Sequence, residues 1–425
     1  MPLGGIALLS PVNIATKCVT DIAMENLNRS KVKLFAVLFF TLFCSMMGAG
    51  IVAPLLPVYA LNLGAAGVMI GFIFSSFSVS RSLALPAVGY LSDRLGKKRF
   101  IMFGLFSYVV VSISYSLATN PWTLVFIRFG HGLAAAMIVP VASAYVGELS
   151  PSGQEGKYMG ILNVGIFGGL GVGPFVGGLI SDAWGMDTAF FSMAALNLLA
   201  LVIVLLLVPE KKGDGMSIDI TSYFKLLKNR RILSLMIFRA SHFFGVGIIW
   251  AFVPLLVIGG NRLSTTYSGA FISLSVLTAT ILQAPIGKMA DQYNRKIIAL
   301  LGGVFMVMAM ALIPFSKNYS TLCAGIILSG LAGGFIAPAV SALTVSEGKF
   351  QHAMGSVMGL VLMGQSLGIM FGPIVAGKLV DIFGISAAFL SGSLVAVFGL
   401  AMFVVFGKDF IYEPATEHRF HVGEI

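Results

Sequence analysis

The sequence predicts an all-α membrane protein with twelve transmembrane helices in two parallel-repeat six-helix bundles. Three observations carry that reading. Apolar runs of bilayer length recur along nearly the whole chain, lysine and arginine collect in the connectors on one side of those runs, and the second half repeats landmark residues of the first about 199 positions later.

Of the 425 residues, 57% are hydrophobic and only 10% are charged, a balance that no water-soluble fold of this size can bury. A helix needs about 20 consecutive apolar residues to cross a bilayer. On that criterion the spans fall at 34–60, 67–91, 99–118, 122–147, 158–181, 187–208, 232–258, 266–290, 297–316, 320–345, 353–380 and 386–407. Their connectors are too short for a separate soluble domain. The longest, 209–231, is basic and divides the spans six and six. The chain therefore reads as an N-terminal tail (1–33), a six-helix bundle (34–208), a linker (209–231), a second bundle (232–407) and a C-terminal tail (408–425).

A net charge of +10 is compatible with nucleic-acid binding, but its placement decides against that. With the N-terminus inside, only Arg262 and Lys317 of the 27 lysines and arginines fall in outside loops, and Arg81, Arg128, Arg239 and Lys378 fall within spans. The rest gather in the tails and inner connectors, which is the positive-inside pattern. It places the protein in the cytoplasmic (inner) membrane with both termini in the cytoplasm. Cys18, Cys44 and Cys323 are too few and scattered for a disulfide framework or a metal site. Residues 1–16 lack the charged start of a signal peptide, and Met24, which opens the stretch directly before the first span, is an alternative start.

The internal repeat is an ordered series. Gly160, Gly169, Gly173, Pro174, Gly178, Asp182 and Gly185 fall on Gly359, Gly368, Gly372, Pro373, Gly377, Asp381 and Gly384, while Gly132, Pro140, Asp93 and Lys98 fall on Gly330, Pro338, Asp291 and Lys296. Each half has an even number of spans, so both copies enter the membrane in the same direction. Parallel repeats of this kind hold a substrate near mid-membrane between the halves and rock to expose it to either side.

Between the second and third spans stand Gly89, Asp93, Arg94, Gly96, Lys97, Lys98 and Arg99. Gly89 lets two helices approach closely, Asp93 can face a helix N-terminus or an arginine, and the basic run anchors at anionic lipid. A degenerate copy, with Gly287, Asp291, Asn294, Arg295 and Lys296, occupies the equivalent place. The fifth span carries Gly160, Gly169, Gly173, Pro174, Gly177 and Gly178, small residues that allow tight packing around a proline that bends the helix. The eleventh span repeats it with Ala376 in place of one glycine. The fourth span holds Arg128, His131 and Gly132, and the first holds Gly48, Pro54 and Pro57.

These patterns resemble the signatures of the major facilitator superfamily, in its twelve-helix proton-antiporter subgroup of drug and metabolite exporters. The resemblance implies a cytoplasmic latch, formed by Asp93, Arg94 and Lys97 with a weaker counterpart at Asp291 and Arg295, that stabilises the outward-facing state. It also implies that a membrane-embedded Arg128 assists proton transfer; an arginine at that depth can alternatively snorkel to the headgroups. The glycines of the fifth span match the antiporter signature, and their near-complete second copy leaves plain helix packing open as well.

Ionisable groups inside spans are costly and mark function. Here the set is one-sided: Arg81, Arg128, His131, Arg239 and His242 lie within spans, whereas Glu148, Asp182, Asp291 and Asp381 sit at span ends. The path is therefore expected to be electropositive. Cation exporters that this family resembles hold a buried carboxylate, which is missing here, so the expected substrate is an organic anion or an amphiphile with an acidic head held by Arg81, Arg128 or Arg239. The alternative is that Arg81 and Arg239 pair with the gate acids. His131 and His242 are candidates for proton exchange, because imidazole titrates near neutrality, or else are packed neutral residues. No Ser/His/Asp set, zinc-protease or nucleotide-binding motif occurs. The expected function is thus not enzymatic and needs no cofactor: a secondary transporter, monomeric, probing a proton gradient to export a small organic compound. Uptake by symport or uniport, and a non-transporting sensor of the same fold, are the alternatives.

Overall fold

The computed structural model describes residues 29–150, 155–210, 226–260, 264–316, 318–351 and 354–407. Among them, twelve helices are long and apolar enough to cross a membrane. In the first half these are α1 (Arg29–Asn62), α2 (Gly67–Leu95), α3 (Lys97–Ser116), α4 (Pro121–Leu149), α5 (Glu155–Trp184) and α6 (Met186–Leu207). The second half contains α7 (Arg230–Leu255), α8 (Thr265–Gln292), α9 (Arg295–Leu312), α10 (Tyr319–Phe350), α11 (Met354–Phe383) and α12 (Ile385–Phe406). No strand occurs among the described residues. Both tails, the linker core at 211–225 and the alternative start at Met24 lie outside the described residues.

Several helices run a turn beyond the apolar windows because local chemistry, not hydropathy, ends them. Asn229 starts α7 two residues before the expected boundary, its side chain accepting from the Arg231 and Ile232 amides. Asn120 and Thr123 form a capping box ahead of α4, with Pro121 in its first turn, and the Asn318 side chain caps α10 by accepting from the Thr321 amide. Between α2 and α3 the only connector is Gly96, at φ 109°, where an added Cβ would also strike the Glu210 carboxylate. Only glycine suits that position. In the second copy Asn294 instead caps α9 through the Lys296 amide.

Within each half the helices pair in the same way: α1 packs on α5 and α6, α2 and α3 on α4, and correspondingly α7 on α11 and α12, α8 and α9 on α10. The halves meet where α2 packs on α11 and α5 on α8. With an even number of spans, α1 begins and α12 ends at one side of the bundle, here the terminal face; the other is the far face. The contacts between halves run from the far face to mid-bundle. Gly67 and Gly71 of α2 press against α11, and Gly178 of α5 presses against Thr265 and Thr266 of α8. Ser75 donates to the Met370 carbonyl, and the Phe175 amide donates to Ser273 Oγ at 3.0 Å. Toward the terminal face the same helices part: Gly89 of α2 has no atom within 4 Å of its Cβ position, and Gly287 of α8 meets only Pro338 of its own half. The bundle is closed at the far face and open at the terminal face.

Candidate functional site

Two cationic clusters lie within the spans, one in each half. In the first half, Phe74, Phe77 and Arg81 recur at helical spacing on one face of α2. Arg128 of α4 lies over those rings, its guanidinium carbon 4.7 Å from the Phe77 centroid and 5.3 Å from that of Phe74. Arg128 thus turns inward onto aromatic rings, which does not match the snorkelling alternative. Both Arg81 and Arg128 are within electrostatic range of Tyr108 on α3.

His131 is 1% exposed, with its ring edge-on to Phe77, Tyr108 and Tyr115. Its Nδ1 lies 3.0 Å from the Tyr115 hydroxyl and 3.4 Å from Arg128 Nη1. Arginine only donates, so Nδ1 accepts and a neutral ring carries its proton on Nε2, which has no partner. All these ring partners belong to the first half. The structure therefore places His131 inside one bundle, walled off by α3.

In the second half, Ser241 and Gly245 of α7 turn toward α12 and α9, and Phe244 and Gly247 turn toward α11. Arg239 and His242 lie on another side of α7, and the Arg239 side chain reaches across to α11. Arg239 stacks on Phe243 at 4.8 Å and donates from Nη2 to Gln365 Oε1 at 3.1 Å. Gln365 of α11 was not singled out by the sequence, since a glutamine in an apolar run carries no charge signal. Arg81 Nε, Arg128 Nε, Arg239 Nη1, His131 Nε2 and His242 Nδ1 are all buried without a hydrogen-bond partner. Neither Arg81 nor Arg239 forms an ion pair with an acid among the described residues. Of the gate acids, Asp93 is paired with Lys97, and the Asp291 side chain lies outside the described residues.

The gate residues whose side chains are described find their partners within their own half. Asp93 pairs with Lys97 at 2.8 Å, and Lys97, fully buried, also holds Glu148 at 2.7 Å. Arg94 is exposed and stacks on Tyr90 at 4.5 Å. Lys98 caps the end of α6 through the Leu205 carbonyl, as Lys296 caps α12 through that of Gly407. In the second copy Arg295 bonds the Ala290 carbonyl and Ser346 Oγ; the Asp291 side chain lies outside the described residues. Glu347, 4% exposed, pairs with Arg231 at 3.6 Å and accepts from Asn229 and Gln351. It occupies the place in α10 that Glu148 has in α4, a duplication the sequence reading missed. No ion pair among the described residues joins the halves, because the helices carrying the latch residues have separated. For the same reason Gly89, expected at a close helix contact, faces open space.

The antiporter-motif glycines divide by neighbour. Gly169, Gly173 and Gly177 press against the α1 backbone at Phe43, Met47 and Ile51, Pro174 contacts Gly50, and Gly178 meets α8. In α11, Gly368 and Gly372 press against α7, and Gly377 meets α2. Gly160 is exposed with nothing within 4 Å, so close packing does not account for it.

Two six-helix repeats, in contact at one face and parted at the other, with arginines inside the spans that pair with no acid among the described residues, define a membrane transporter. The Major Facilitator Superfamily model matches residues 38–240 and 235–420. The chain belongs to that superfamily. An uncharacterized MFS-type transporter of Methanocaldococcus jannaschii is 32% identical over 358 residues, covering 82% of this chain and 92% of its own length. The multidrug resistance protein MdtG of Escherichia coli is 29% identical over 372 residues, covering 84% and 90%. A bacterial homolog of the human lysosomal transporter Spinster, crystallised inward-facing and unoccupied, superposes with a TM-score of 0.80 at 12% identity over 92% of this chain and 100% of its own. The relatives are transporters and not enzymes.

Proposed function

We propose that this chain is a proton-coupled exporter of a small organic anion, or of an amphiphile with an acidic head. The observation that carries the proposal is the charge inventory inside the spans: Arg81, Arg128 and Arg239 each keep a buried nitrogen without a partner, and every ion pair among the described residues lies at the terminal face. A guanidinium withdrawn from water without a counter-ion is costly. An anionic substrate offsets that cost through charge-assisted hydrogen bonds, and Phe74, Phe77 and Phe243 offer rings for an apolar body. In this reading His131 and His242, the two imidazoles within the spans, are both buried here and take up the coupled proton only when the transport cycle brings water to them.

In this reading the terminal face is cytoplasmic, so the conformation is inward-open and ready to load, and the protein works as a monomer in the inner membrane. The positive-inside placement of lysine and arginine supports that orientation, and the relative named as a multidrug resistance protein supports export. Right-side-out and inside-out vesicles with imposed pH gradients and radiolabelled organic anions test direction and coupling together. Export predicts accumulation in inside-out vesicles with an acid lumen. Accumulation only in right-side-out vesicles would make it an uptake symporter, and indifference to the gradient a uniporter. Transport still driven by the gradient after His131→Gln and His242→Gln together would exclude the histidine route.

A further inference from the structure

The repeat pairs one more set of residues, Asp182 and Asp381, which neither the substrate path nor the terminal-face network uses. Helices α4, α7, α9 and α10 begin with an asparagine whose side chain binds first-turn amides. Helices α2 and α8 have no such cap: Ala66 cannot supply one, and the Ser264 side chain accepts no bond from the α8 amides. Their free amides are satisfied from the opposite half. Asp381, at the end of α11, accepts from the Gly67 and Val68 amides at 2.6 and 2.9 Å. Asp182, at the end of α5, accepts from the Thr265 and Thr266 amides at 3.1 and 2.9 Å and from both threonine hydroxyls at 2.5 Å. Beneath them Gly178 and Gly377 let the paired backbones touch. Each carboxylate also faces the positive end of a helix dipole.

We infer that Asp182 and Asp381 are positioning residues of the transport cycle, a pair of clasps that hold the far face shut while the terminal face is open. All these bonds cross between halves, so opening the far face must break every one of them. The clasps are unequal. Asp182 accepts four bonds from the two threonines and Asp381 two, because Gly67 and Val68 stand where the second copy has Thr265 and Thr266 and neither carries a hydroxyl. The α5–α8 clasp is therefore the stronger, and the α2–α11 side yields first. The inference does not depend on which substrate is carried.

The test uses full-length protein in detergent with Cys18, Cys44 and Cys323 replaced by serine and one reporter cysteine added. Ser268→Cys reports the far face: the residue is fully buried in α8 and its hydroxyl has no partner. Tyr90→Cys reports the terminal face, where the residue is exposed. Asp182→Asn should speed maleimide labelling at position 268 by about tenfold, the loss of charge-assisted bonds being of that size, and Asp381→Asn should speed it less. Both should slow labelling at position 90, because opening one face closes the other. Val68→Thr, which gives α2 the hydroxyl that α8 already has, should slow labelling at position 268. Unchanged rates in both asparagine variants, or acceleration by Val68→Thr, would overturn the inference. So would a rise at both reporters together, the signature of a loosened fold.

Discussion

Lys97 is the residue on which the terminal-face network of the first half turns. Its ammonium is fully buried between Asp93 and Glu148, each about a third exposed. Glu148→Gln leaves that ammonium with a weaker partner, and a loss of about 1–2 kcal/mol follows once partial solvent screening is allowed for; a lower melting temperature in detergent is the readout. Arg94→Ala should change stability by less than about 0.5 kcal/mol, since Arg94 is exposed and, among the described residues, stacks on Tyr90. If Arg94 serves the latch that the family resemblance implies, the same variant should still alter transport rate. In the other half, Gln365→Leu removes the Arg239 partner, and a fall in apparent affinity for an organic anion of about tenfold is expected from one charge-assisted bond, measured by counterflow in liposomes. Which residues were legible at this scale follows from their chemistry. A charged side chain in an apolar run announces itself, as Arg81, Arg128 and Arg239 did. Gln365 does not, and Glu347 was legible only as the duplicate of Glu148 in the repeat.

At the scale of elements, the glycines of α5 and α11 are a packing device in both copies. Gly169 and Gly173 bring α5 into backbone contact with α1, and Gly368 and Gly372 do the same for α11 and α7. Gly173→Val should cost about 1–3 kcal/mol by overpacking and reduce the yield of monodisperse protein, whereas Gly160→Ala, in open space, should leave both yield and melting temperature unchanged. The exporter association of the motif thus rests on the family and not on a property that the α5 geometry shows by itself. Helix existence and order were readable from apolar length. Helix ends were less so, because they depend on single contacts such as the Asn229 cap and the Gly96 left-handed turn, which window hydropathy does not register. The trans caps on α2 and α8 were hidden for another reason: their partners are more than 80 residues away in one case and more than 300 in the other.

For the molecule as a whole, the duplication predicted the architecture, two like bundles with matching helix pairs, and the charge placement predicted which end carries the basic loops. The conformation was not legible, since the same sequence must support both open states and only the assembled contacts say which one is populated. The open terminal face explains why the latch residues find partners inside their own half and why Gly89 faces space. The same contacts make the halves unequal, with Arg128 beside a histidine sealed in an aromatic box and Arg239 reaching across from α7 to α11. The function we propose for this arrangement calls for a negatively charged substrate. Purified protein in liposomes, offered organic anions and ethidium-like cations in parallel, tests that most directly. The account expects anions to move and cations not to, with anion transport lost in Arg239→Ala. Equal transport of both classes, unchanged by that substitution, would contradict it.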